Sequence, residues 1–119
     1  HEYGIMVFMH SCGAIGAIIP GLIDAGVDLL QFDQPSLHRI EKLASYQQNA
    51  KITFWCPVDI QKTLQTRNEI IRHEARELIK NLWSRNGGFI AGYYFDNTSI
   101  GLDPIWQEYA CDEFVKCGK

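Results

Sequence analysis

His10 and Cys12 stand two residues apart, directly after the apolar run Gly4-Ile5-Met6-Val7-Phe8-Met9. On an extended strand, residues i and i+2 point to the same side, so an imidazole and a thiol can reach one point in space. Imidazole nitrogen and cysteine sulfur are a ligand pair that Zn²⁺ favours. They are also a base and a nucleophile. Two ligands do not make a metal site, because catalytic zinc takes at least three from the protein. The rest of the chain has to supply the third.

The elements that position this pair follow from the hydrophobic pattern. Residues 4–10 read as a buried strand. A helix is expected over 15–25, closed by Gly26 as the residue beyond its C-cap, with Pro20 either in its first turn or at a kink. Residues 27–33 read as a second strand, punctuated by Pro35-Ser36. A helix over 37–46 follows, with Ile40, Leu43 and Ala44 on one face. Residues 52–56 form a third strand rich in β-formers, stopped by Pro57. Ile71, Ala75, Leu78 and Leu82 fall at spacings of four, three and four, the stripe of an amphipathic helix. Asn86-Gly87-Gly88 breaks it, residues 89–95 read as a fourth strand, and a last helix carries Trp106, Ala110, Phe114 and Cys117.

Four consecutive βα units predict an α/β fold with a parallel sheet and right-handed crossovers. The near-continuous apolarity of the strands points to a sheet covered on both faces. Ligands in such folds bind beyond the carboxyl ends of the strands. That rule selects His10 and Cys12, then Asp33 and Gln34, then Cys56 with Asp59 and Gln61, and finally Tyr93 to Asp96. Cys56 and Asp96 are the candidates for a third metal ligand, and Cys56 reads alternatively as a packed thiol, since free cysteine is among the most buried residue types. Asp33, Asp59, Gln61, Tyr93 and Asp96 are candidates for substrate binding, although aspartates after strands also cap helices and loops. His38 and His73 fall on expected outer helical faces, where solvent is the expected environment. Cys111 and Cys117 read as filler on the last helix.

Composition limits the partners. With 119 residues, 46% of them hydrophobic, the chain suffices for one core and is read as one domain over 1–119. A net charge of −3 leaves no basic stripe for nucleic acid. No apolar run reaches the ~18–20 residues of a membrane span, and no leader pattern is read at the N-terminus. Four cysteines without a CxxC pair point to a reducing cytoplasm rather than a disulfide framework.

Nearly the whole chain resembles the C-terminal half of the uroporphyrinogen decarboxylase superfamily, which also contains cobalamin-dependent methyltransferases. The resemblance rests on His10-Ser11-Cys12-Gly13, on Ile19-Pro20-Gly21-Leu22-Ile23-Asp24-Ala25-Gly26-Val27-Asp28, on Ile52-Thr53-Phe54-Trp55 with Val58-Asp59-Ile60-Gln61, and on Gly87-Gly88-Phe89-Ile90. It implies a (β/α)₈ barrel of which these four units are the second half. Since a whole barrel takes ~250 residues, and the chain begins at His1 with no initiator Met, the expectation is a fragment of a larger enzyme. The exposed interior and open edges of a half barrel imply a partner: the missing N-terminal half or a second copy.

In the methyltransferase branch, a His-x-Cys pair and a distant cysteine hold zinc that activates a thiol, and a partner protein carries the methyl group on a corrinoid. His10 and Cys12 match the pair, whereas Phe95 stands where the second cysteine is expected. Cys56 is the substitute ligand this reading favours. The alternative is a metal-free porphyrinogen carboxy-lyase or a catalytically silent relative. The family's carboxy-lyases place a functional histidine near Phe95 and draw their substrate-binding arginines from the N-terminal half. Arg39, Arg67, Arg72, Arg76 and Arg85 fall on helices or on the linker beyond the third strand, which favours methyl transfer.

Overall fold

The computed structural model describes residues 1–64 and 66–119. Four strands, β1 (Phe8–His10), β2 (Leu29–Gln31), β3 (Thr53–Cys56) and β4 (Phe89–Ala91), form one parallel sheet in the order β1-β2-β3-β4. Helices α1 (Ile19–Asp24), α2 (Ile40–Asn49), α3 (Asn68–Leu82) and α4 (Pro104–Cys117) alternate with them. Neighbouring parallel strands joined in sequence order by right-handed crossovers place the connecting helices on one face of the sheet.

The register shows the consequence. Met9, Leu30, Phe54 and Phe89 lie across from one another and point into the core, where Leu30, Phe54, Leu43, Leu78 and Phe114 are buried. The next row, His10, Gln31, Trp55 and Ile90, points the other way, and there Trp55 and Ile90 are exposed. The sheet is therefore covered on one face only, contrary to the expectation drawn from its apolar strands. The same apolarity that elsewhere signals two covering layers here marks a surface left open, with Val7 and Phe8 exposed on the β1 side.

Element boundaries follow local chemistry. Pro20 sits in the first turn of α1, where its missing N–H costs nothing. Residues 16–18 form a turn, and the helix expected from residue 15 starts only at Ile19. Gly26 takes φ +93° just beyond the C-cap, a conformation that disfavours a β-carbon. The stripe Ile71, Ala75, Leu78 and Leu82 is buried on α3, as expected. On α4, Asp103 caps the helix by accepting from the Ile105 N–H at 3.0 Å, and Ala110 and Phe114 face the core. β4 stops at Ala91 rather than running to residue 95. Gly92 there donates its N–H to the Cys56 carbonyl at 2.9 Å, so close that a β-carbon would lie 2.6 Å from the Pro57 nitrogen.

Two polar devices join the layers. Glu113 of α4 bonds Arg76 at 2.7 Å and Arg72 at 3.2 Å on α3. Buried Gln107 accepts from the Tyr94 N–H at 2.8 Å and donates to the Tyr94 carbonyl, holding the segment after β4 against α4. Among the described residues, no helix is long and apolar enough to cross a membrane.

Candidate metal centre

β1 and β2 run parallel with His10 opposite Gln31, and the Ser11 N–H continues the ladder onto the Gln31 carbonyl at 3.1 Å. Two residues on, the same alternation brings Cys12 beside Asp33. One nitrogen, one sulfur and one carboxylate oxygen from His10, Cys12 and Asp33 all lie within 4.8 Å of one another. Among the described residues this is the only group of three or more metal-donor side chains so placed. It sits at the carboxyl ends of the strands, as the ligand rule requires.

The hydrogen bonds within the cluster form a chain. Cys12 Sγ lies 3.2 Å from His10 Nε2. His10 Nδ1 meets Gln31 Oε1. Gln31 Nε2 donates to Asp33 Oδ1 at 2.8 Å. Beside them, Gln34 Oε1 accepts from the Gly13 N–H at 3.2 Å and ties the loop after β1 to the end of β2. His10 and Cys12 are exposed and Asp33 is half-buried, so an incoming group can reach the cluster from solvent.

The donor set fits zinc. Nitrogen, sulfur and carboxylate oxygen are its usual ligands, and three protein ligands leave one position open, as in catalytic zinc sites. Imidazole binds metal through a nitrogen freed by a hydrogen bond at the other, and His10 makes that bond to Gln31.

Cys56 does not join this group, and its candidacy as third ligand is corrected. It shares a face with Phe54, the covered one, whereas His10 shares a row with Trp55. Its thiol is fully buried. Burial, together with the charges of Glu74 and Asp33, pushes that thiol well above its ordinary pKa, so it behaves as a packing group. Asp33, not Cys56, stands with His10 and Cys12 in the donor group.

The remaining candidates separate by position. Asp59 is only 2% exposed and caps the turn after β3. It accepts from the Gln61 and Lys62 N–H groups at 3.0 Å each and from Ser36 Oγ, which replaces its substrate-binding reading with a structural one. Gln61 is exposed on that turn, its backbone N–H held by Asp59. Asp96 accepts from the Ser99 N–H at 3.2 Å, a loop cap on an exposed residue, and it too lies outside the metal-donor group. Tyr93 is half-exposed, with its hydroxyl bonded by Asn97 Nδ2 at 3.2 Å, while Tyr94 packs against the core. Phe95 is 85% exposed.

His73 is exposed, as expected. His38 is not. Pro35 opens a 3₁₀ turn over Pro35–His38 that delays α2 to Ile40 and swings His38 inward. It is buried against the Phe32 ring at 4.7 Å between centroids, and neither ring nitrogen has a hydrogen-bond partner. Burial lowers its pKa.

A groove of ≈ 840 Å³ opens at the opposite end of the sheet, between Met6, Asp28, Gln47, Lys51, Thr53 and Gly88. It is lined by no thiol and no imidazole, and Gln47 already bonds the carbonyls of Ile52 and Gly88 at 3.3 and 2.6 Å. Chemistry, rather than volume, therefore locates the candidate site. In comparison with known proteins, the chain matches no family model, no curated protein and no solved structure.

Proposed function

We propose that this chain is the thiol-activating half of a methyltransferase resembling the uroporphyrinogen decarboxylase superfamily, with its sheet as one half of a (β/α)₈ barrel. The observation that carries the reading is the convergence of His10, Cys12 and Asp33 donor atoms within 4.8 Å at the strand ends. Two features support it. The sequential strand order, with its crossovers on one face, is that of a barrel arc, and the open apolar face is what a barrel interior becomes when half is taken alone. Arg72 and Arg76 are engaged by Asp112 and Glu113 on α4, so they are not disposed to bind a polycarboxylate tetrapyrrole. This favours methyl transfer over decarboxylation.

His10 Nε2, Cys12 Sγ and an Asp33 oxygen hold the metal in this reading. Zinc, when bound there, supplies the Lewis acidity that acidifies a thiol at neutral pH. Cys12 would ligate as the thiolate, its proton released to solvent. His10 would ligate through Nε2, with its Nδ1 turned to Gln31. Asp33 contributes the negative charge that a second thiolate supplies in the family. The exposed edges of His10 and Cys12 leave the approach open for a small thiol and for a methyl group delivered on a corrinoid by a partner protein. The open sheet face belongs to the rest of the barrel or to a second copy.

The test is zinc per chain after purification without chelators, for the wild type beside Cys12→Ser and Asp33→Asn. Near-stoichiometric zinc that is lost in Cys12→Ser and weakened in Asp33→Asn is the expected result. A metal-free wild type, or zinc that survives Cys12→Ser, defeats it.

A further inference from the structure

We infer that Gln31 is the positioning residue of this cluster, a single amide that fixes both the tautomer of His10 and the orientation of Asp33. The inference rests on the metal-site reading for its consequence but on hydrogen-bond logic for its content. The Asp33 carboxylate can only accept, so the end of the Gln31 side chain that faces it at 2.8 Å is the NH₂ group. The amide oxygen is thereby turned to His10. That oxygen can only accept, so His10 carries its proton on Nδ1. Nε2 is left with its lone pair directed at Cys12, 3.2 Å away.

Charged and aliphatic side chains do at most one of these jobs. A carboxylate at position 31 would accept from His10 but repel Asp33. An ammonium would satisfy Asp33 but force the wrong tautomer. An aliphatic side chain would do neither. Gln31 itself is held by the ladder, since its carbonyl takes the Ser11 N–H at 3.1 Å and its backbone is paired with His10. A ligating histidine ordinarily has its second nitrogen bonded in this way, and loss of such a partner costs ~10–100-fold in metal affinity. Gln31 lies inside the strand expected over 27–33, short of the carboxyl end where the ligand rule places candidates.

Two measurements test it on the full chain, with Gln31→Leu and Gln31→Glu beside the wild type and folding of each checked by its melting curve. The first is the ¹⁵N spectrum of the His10 ring without metal, at alkaline pH where the imidazole is neutral. The wild type is expected to show Nδ1–H alone, Gln31→Leu a mixture of tautomers, and Gln31→Glu the Nδ1–H form again. The second is Co²⁺ titration followed by the thiolate-to-cobalt absorption band. Gln31→Leu is expected to bind ~10–100-fold more weakly, and Gln31→Glu to recover part of that loss because it restores one of the two hydrogen bonds. Gln31→Leu with wild-type affinity and spectrum overturns the positioning role and leaves the metal reading standing. A wild type that takes up no cobalt overturns the metal reading, and the ring spectrum then decides Gln31 by itself: an Nε2–H tautomer in the wild type overturns the inference, and Nδ1–H sustains it.

Discussion

The two faces of the one sheet are built from neighbouring residues and do different things. On the covered face, Leu30, Phe54 and Phe89 meet the helices and close a core. On the open face, Phe8 lies 5.8 Å from Trp55 between ring centroids, Ile90 stands exposed, and the row ends in His10 and Gln31. The covered face is satisfied within the chain. The open face has apolar area, polar groups that bond one another, and two edge strands, β1 and β4, each with one strand partner among the described residues. Packing is thus concentrated on one side, and the candidate donor cluster lies on the other, exposed one.

Adjacent residues give the sharpest test of this contrast. Phe54 and Trp55 are consecutive on β3 but point to opposite faces. Phe54→Ala leaves a cavity against Phe32 and is expected to cost about 3–5 kcal/mol. Trp55→Ala removes a partly exposed ring and is expected to cost about 1 kcal/mol or less in an isolated chain. Urea unfolding of both variants reads the difference. If a second copy covers the open face, Trp55→Ala costs several times more, depends on protein concentration, and lowers the mass seen in light scattering. A monomer at all concentrations, with a silent Trp55→Ala, removes the second copy as the cover of this face.

The cysteines divide along the same line. Cys12→Ser on the open side is expected to weaken Zn²⁺ or Co²⁺ binding at least ~100-fold, about 2.7 kcal/mol, with the melting temperature of the metal-free chain within a degree or two. Cys56→Ser on the covered side buries a hydroxyl among Phe54 and Val58 and is expected to cost about 1–2 kcal/mol of stability, with metal affinity within ~2-fold of wild type. Metal titration and thermal melts of the same two proteins separate these outcomes. Metal loss in Cys56→Ser would return it to the ligand set and break the division of faces.

Much of this was legible in the sequence, and the part that was not has a definite cause. The alternation of strands and helices, the α3 stripe and the His10/Cys12 pair depend on period and spacing alone. Which aspartate belongs to the site depends on parity and register, which are set by pairing. His-x-Cys at 10–12 and Gln-x-Asp at 31–33 are the same i, i+2 pattern, and β1 pairs with β2 so that the two patterns lie side by side. With that offset known, Asp33 falls next to Cys12 and Cys56 falls on the wrong face. Asp59, equally placed after a strand, was spent on capping because the turn after β3 exposes backbone N–H groups that needed an acceptor. His38 was misplaced because Pro35 opens a 3₁₀ turn over Pro35–His38 and α2 begins only at Ile40, so His38 lies before the helix rather than on its outer face.

The smallest expected effect concerns how the covered face responds to acid. Two groups there lose stability as pH falls, in different windows. His38, buried without a hydrogen-bond partner, has its pKa lowered from 6.5 by desolvation. The unfolded chain therefore takes up that proton first, and stability declines as pH falls below about 6.5. Glu113 is held below its ordinary 4.5, first by the hydrogen bond from Arg76 and then by that from Arg72. Its contribution is present above the unfolded value and is lost as pH falls through the lower folded one. Arg76 is half in solvent, so the pair is discounted to about 1 kcal/mol. Glu74 has the opposite sign: burial raises its pKa, so it favours folding most at low pH and less as it ionises. A plot of unfolding free energy against pH should show two acid-side losses. His38→Phe should remove the upper one, because a phenyl ring keeps the packing on Phe32 with nothing to protonate. Glu113→Gln should remove the lower one. Metal affinity at constant pH should not change in either, since both groups belong to the covered side. A shift in metal binding with either substitution would show that the two faces are coupled through β2, whose Gln31 faces the cluster while the Phe32 that follows it packs on His38.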